Sequence, residues 1–106
     1  MKEPSNLQEG LALFERDFQL EKSYLNLDAD VTIGYEEAFI LIMRIVEELL
    51  AKDFTRLINC LYRLDVLEDK LKIALSESNK NPASVITEMI IEREIQKAET
   101  RKRHKP

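Results

Sequence analysis

The segment Ala38 to Ala51, AFILIMRIVEELLA, places apolar side chains on nearly every face of a helix and interrupts them only at Arg44, Glu47 and Glu48. A helix that is hydrophobic on most sides has to be covered, by other helices in a globular core or by lipid. Lipid is the poorer reading, because the run falls short of the roughly 18 to 20 apolar residues that span a bilayer and Arg44 sits in its middle. The stretch from Tyr35 to Ala51 is therefore expected to be the central helix of a bundle, sandwiched between the first and last helices.

The remaining segments supply those neighbours. Ser5 followed by Gln8 has the form of a capping box behind Pro4. Leu7, Leu11, Phe14 and Phe18 then trace the stripe of an amphipathic helix running to about Lys22. Gly10 inside it costs about 1 kcal/mol against alanine, so this helix has to rely on packing. From Ser23 to Gly34 the period is lost, and Asn26, Asp28, Asp30 and Gly34 supply turn chemistry. Tyr24, Leu25, Leu27, Val31 and Ile33 are too many apolar residues for a free linker, so the connector is expected to lie partly buried across the bundle.

Further on, Asp53 reads as an N-cap for a helix from Phe54 to Leu64, although Phe39, Met43, Val46, Leu50, Phe54, Leu57, Leu61 and Leu64 keep a helical spacing through it. A break at Lys52 and Asp53 is preferred over one long helix. Asp65 with Glu68 repeats the capping logic ahead of the stripe Leu67, Leu71 and Leu75. Asn81 and Pro82, a side-chain acceptor followed by a proline at the first helical position, open the last helix. That helix carries Val85, Ile86, Met89, Ile90, Ile91, Ile95 and Ala98 and reaches Arg103, a length of about 33 Å.

With 106 residues, 44% of them hydrophobic, the chain can bury one core and not two. Two glycines and three prolines are too few to punctuate a sandwich or barrel, which needs turn residues every eight to twelve positions or so. The expected fold is a single-domain, all-α bundle of four to five helices over residues 1–106, with 100–106 a frayed or disordered basic tail. Cys60, in LINCLY, has no second cysteine to pair with and reads as a small buried hydrophobe. The opening MKEPSNLQEG lacks the pattern of a secretory leader, so the expected location is the cytoplasm. Residues 1–53 carry 5 basic and 12 acidic side chains and residues 54–106 carry 11 and 8, an opposition that could pair the halves or two copies.

No catalytic, cofactor-binding or metal-binding constellation emerges. Arg44, with Glu47 three and Glu48 four residues on, reads as a structural ion pair. The acids Glu36, Glu37, Glu47, Glu48, Asp53, Glu68 and Asp69 invite comparison with all-α nucleotide pyrophosphatases. The turn that should bring a third glutamate holds Ile40 and Leu41 instead, so a magnesium site would lack an oxygen ligand. A di-iron bundle needs Glu-x-x-His pairs, and the one histidine, His104, lies in the tail. Residues 54–75 could be drawn as a helix-turn-helix, but its second helix begins with acids rather than phosphate-contacting bases.

What remains is contact chemistry. The stripe Val85, Met89 and Ile95 is expected to stay partly exposed on the monomer and to close a homodimer. The run Arg101, Lys102, Arg103, His104 and Lys105 is the one basic patch and offers a second reading, a nucleic-acid-associated factor. LINCLYRLDVLEDKLKIAL together with IIEREIQKAETR, within roughly residues 53–101, resembles small uncharacterised all-α bacterial proteins, a resemblance that transfers no activity and no site residue. The expectation is a non-enzymatic protein–protein interaction module, an adaptor or regulatory subunit. Its partner would be a second copy or another helical protein, with no cofactor, small-molecule ligand or membrane involved.

Overall fold

Helix ends have to satisfy backbone groups that the helix itself cannot pair, and in this chain those ends fix the layout. The computed structural model describes residues 3–20, 33–66, 68–77 and 79–103, with the side chains of residues 3–5 and 103 excepted. The described residues form five helices: α1 (Glu3–Asp17), α2 (Tyr35–Lys52), α3 (Phe54–Arg63), α4 (Glu68–Glu77) and α5 (Pro82–Arg103). The protein is an all-α bundle.

Asp53 separates α2 from α3. Its backbone leaves the helical region at φ −153° and ψ 66°, its amide donates to the Leu49 carbonyl at 2.8 Å, and its side chain accepts from the Arg56 amide at 3.2 Å. One residue thus ends one helix and starts the next, as the sequence predicts. Asn81 caps α5 in the same way, accepting from the Ala83 amide at 2.8 Å with Pro82 at the first helical position.

The stops of α1 and α3 differ from expectation. In α1 the Leu20 amide returns to the Glu15 carbonyl at 2.8 Å and the Gln19 amide to the Arg16 carbonyl at 3.1 Å, with Gln19 at φ 56°. In α3 the Val66 amide returns to Leu61 at 3.0 Å and the Asp65 amide to Tyr62 at 3.0 Å, with Asp65 at φ 62°. Both are Schellman closures whose left-handed position glycine would ordinarily fill. Helix α1 therefore stops at Asp17 rather than near Lys22, and Asp65 closes α3 rather than capping α4. The Ser5–Gln8 box is also replaced, since α1 begins at Glu3 and Gln8 instead brackets the Ile33 backbone, donating to its carbonyl at 2.6 Å and accepting from its amide at 3.3 Å. Ile33 is buried; the other connector anchors, Tyr24, Leu25, Leu27 and Val31, lie outside the described residues.

Burial is shared among α1, α2 and α5 rather than concentrated on the apolar run. Helix α2 buries Ala38, Ile42, Ile45 and Val46 but leaves Ile40 52% exposed. Arg44 reaches solvent without an ion pair among the described residues, while Glu48 pairs with Lys52 at 3.6 Å, so the expected Arg44–Glu47–Glu48 ion pair is not formed. Leading the guanidinium out to water avoids the desolvation that a buried pair would demand. Helix α5 meets α1, α2 and α4 and crosses α1 closely. At the crossing a Cβ on Gly10 would lie 3.2 Å from the Glu94 carbonyl carbon and 3.3 Å from the Ile95 nitrogen, which accounts for a glycine in mid-helix. The α1 stripe Leu7, Leu11, Phe14 and Phe18 is wholly buried, with the two phenyl rings 4.4 Å apart.

The stripe expected to stay partly exposed and close a homodimer is exposed only in part. Val85 is buried, and Met89 and Ile95 are half-buried against the same cluster, because α5 has helices on several sides. Helix α5 continues through Arg103, which makes Thr100 to Arg103 part of the helix. No helix among the described residues is long and apolar enough to cross a membrane.

Candidate interaction surface

Helix α3 is apolar on two adjoining faces. Leu57, Cys60 and Leu61, followed by Leu64, point into the core. Phe54, Ile58 and Tyr62, spaced by four, form a second stripe beside them that the monomer leaves uncovered. Tyr62 is 82% exposed and Phe54 55%. Helix α4 follows the Asp65 turn, buries Leu71 alone among its side chains, and turns Leu75 toward the same space. Between the two helices lies a groove of about 430 Å³ lined by Phe54, Ile58, Leu61, Tyr62, Val66, Leu71 and Leu75, with Glu68 and Lys72 at its rim. Those two rim charges pair with each other at 3.6 Å.

The α3 wall is fixed from behind. The Arg56 guanidinium donates to the Phe18 carbonyl at 2.9 Å and that of Arg63 to the Asp17 carbonyl at 3.3 Å. Both carbonyls sit at the C-terminus of α1, where unpaired acceptors and the negative end of the helix dipole favour cations. Just past Arg63, at the C-terminal end of α3, Arg93 donates from Nε to the Leu64 carbonyl at 2.8 Å and approaches the Asp65 carboxylate at 3.5 Å. Three arginines thus hold the buried face of α3 while its second apolar stripe stays open. The sequence carried a signal for this, two apolar stripes on a ten-residue helix, but without the neighbours either stripe could be the buried one.

A second cluster lies where α1 meets α5. Glu94 is 2% exposed, and its carboxylate oxygens have no hydrogen-bond donor. Lys97 stands 3.9 Å away, beyond hydrogen-bonding distance, and commits its ammonium to Asp17 at 2.6 Å. Burial pushes the Glu94 pKa up to about 9; the charge of Asp17 and a hydrogen bond to it from the acid form act in the same direction, and Lys97 and Arg16 oppose. Glu94 is accordingly a neutral acid at pH 7. The space beside it, between Leu7, Phe14, Ile42 and Ile91, does not admit a water molecule. Its sequence signal was its register, four residues after Ile90 and four before Ala98 on the buried stripe.

The other candidates of the sequence have plain positions. The Cys60 thiol is buried; desolvation raises its pKa and the nearby Arg63 and Arg56 lower it, with the net shift upward, so it stays a thiol. Among the described residues no group of three His, Cys, Asp or Glu side chains could hold a metal ion. Arg101 and Lys102 face α1 across a cleft, whereas the Arg103 side chain, His104 and Lys105 lie outside the described residues. No family model matches this chain, and no curated protein or solved structure matches it either.

Proposed function

We propose that this protein is a non-catalytic interaction module whose α3–α4 groove takes one amphipathic helix of a partner protein. The observation that carries this reading is the open stripe Phe54, Ile58 and Tyr62 over a groove of about 430 Å³. Each wall is a helix of 10 residues, about 15 Å long, which matches roughly three turns of an inserted helix. Such a ligand would be read through apolar anchors at successive turns. A flat pairing of two copies is less suited. The three exposed side chains offer roughly 300–400 Å² of apolar surface, about half of what each partner contributes to a standard interface. A helix lying between two walls gains contacts on both.

The test is site-directed photocrosslinking in cells that express the protein natively, with p-benzoylphenylalanine replacing Tyr62 and, as a control, Glu47 on the solvent face of α2. A discrete heterologous adduct from position 62, absent from position 47 and lost on Ile58→Asp, supports the proposal. An adduct of twice the protein's mass would assign the groove to a second copy. No adduct above the control overturns the reading.

A further inference from the structure

A cleft of about 340 Å³ separates α1 from the last turns of α5. Its floor is made of short or sunken side chains, Ala12, Leu13 and Ala98, and its rim of Arg16, Arg101 and Lys102 with Glu9 as the one carboxylate. In a chain of net charge −4, three cations around one depression are a local reversal of sign.

The partners of these cations show where an anion would sit. Lys102 is held in place, with Nζ 2.8 Å from the Asn6 side-chain oxygen and 3.8 Å from Glu9, so the acid of the rim is already engaged. Arg16 makes a long contact of 3.4 Å with Asp17, whose carboxylate takes its short ion pair from Lys97 at 2.6 Å. Arg101 has no hydrogen-bond or ion-pair partner among the described residues. Two guanidinium groups, one from each helix, are therefore left with most of their donors turned to the cleft and to solvent.

We propose that this cleft binds a phosphate-bearing ligand, with the phosphate between Arg16 and Arg101. A guanidinium presents parallel N–H donors that match phosphate oxygens, and two of them can share one group. Lys102 adds a point charge without having to leave Asn6. The small floor at Ala12 and Ala98 lets the anion approach the helix surfaces, where a larger side chain would fill the space. The phosphate could belong to a free nucleotide or to a polynucleotide backbone. This site is independent of the apolar groove.

The experiment titrates inorganic phosphate, AMP and a short oligouridylate in separate arms, following the amide resonances of Leu13 and Ala98. Binding in any arm should weaken roughly ten- to a hundred-fold for Arg16→Gln and for Arg101→Gln, the loss of one charged hydrogen bond each, and remain unchanged for Arg44→Gln. Binding of phosphate and AMP assigns the site to a small ligand. Binding of the oligouridylate alone, with log K falling by about 0.7 per phosphate contact for each tenfold rise in salt, assigns it to nucleic acid. The proposal is overturned if millimolar phosphate, AMP and oligouridylate all leave Leu13 and Ala98 unshifted, or if binding survives both substitutions. All of these side chains are exposed, and an unchanged melting temperature for the variants separates lost binding from lost folding.

Discussion

Glu94→Gln tests the account of the α1–α5 interface most directly. In the native protein Glu94 holds its proton up to about pH 9, whereas in the unfolded chain it releases it near the ordinary value of 4.5. Between those limits the native state binds one more proton than the unfolded state, so stability is greatest below pH 4.5 and falls as pH rises. The slope of a single such group is about 1.4 kcal/mol per pH unit. From pH 5 to pH 7 the loss is about 3 kcal/mol, a large fraction of the roughly 5–15 kcal/mol that a domain has in total.

Glutamine keeps the shape of the neutral acid, can donate to Asp17 as the acid does, and does not titrate. The groups that face position 94 are Asp17 and Arg16 from α1 and Lys97 from α5, all unchanged by the substitution. Urea unfolding followed by helical circular dichroism at a series of pH values from 5 to 8 should therefore give two curves that meet at pH 5 and separate upward. The variant should lead by about 3 kcal/mol at pH 7. Contributions common to both proteins cancel in the difference. Parallel curves across that range would refute the argument, because they would mean that Glu94 ionises in the folded protein as freely as in the unfolded one.

Three further outcomes follow from backbone and packing geometry. Gln19→Gly should raise stability by about 1 kcal/mol in the same urea assay, since φ 56° strains a side-chain-bearing residue and suits glycine; a loss of stability would mean that the α1 closure is not left-handed. Gly10→Ala should destabilise by about 1 kcal/mol despite alanine's better helix propensity, because the new methyl would press on the α5 backbone at 3.2–3.3 Å and backbone cannot swing aside. A gain would show that the helices cross less closely. Leu61→Ala should cost about 2–5 kcal/mol, whereas Tyr62→Ser, one residue on and 82% exposed, should stay within about 0.5 kcal/mol of the parent; similar losses for both would show that Tyr62 is packed.

The elements were legible in the sequence wherever one residue type implies one backbone geometry. Asp53 and the Asn81–Pro82 pair do so, and the structure has helix starts at both. The stops of α1 and α3 were not legible, because Gln19 and Asp65 occupy conformations for which glycine is the usual sign. Gln8 was misread for a different reason: its amide is used across the fold, on Ile33, and no local pattern encodes a partner 25 residues away. Glu94 stood on an apolar stripe, but its charge argued for water, and only the neighbourhood of Asp17 and the buried crossing reverses that argument. The stripe Val85, Met89 and Ile95 was assigned to an interface on the assumption that five helices hold more apolar faces than the chain can cover. The surplus exists, but most of it lies on α3 and α4, with Tyr35 and Ile40 exposed on α2.

Why the surplus lies there follows from how α3 is held. Apolar contacts secure one of its faces, and arginine side chains bonded to main-chain carbonyls secure its ends. With the helix fixed by these means, Phe54, Ile58 and Tyr62 are not needed to keep it in place. Large exposed apolar side chains gain nothing for the isolated monomer and raise its tendency to associate. Their presence in register on a rigid wall, opposite Leu71 and Leu75, therefore calls for an explanation outside the monomer's own stability. Helix α4 fits the same logic from the other side. Only Leu71 is buried along its 10 residues, against Leu57, Cys60 and Leu61 in α3, so apolar contacts hold α4 less firmly than the wall it faces.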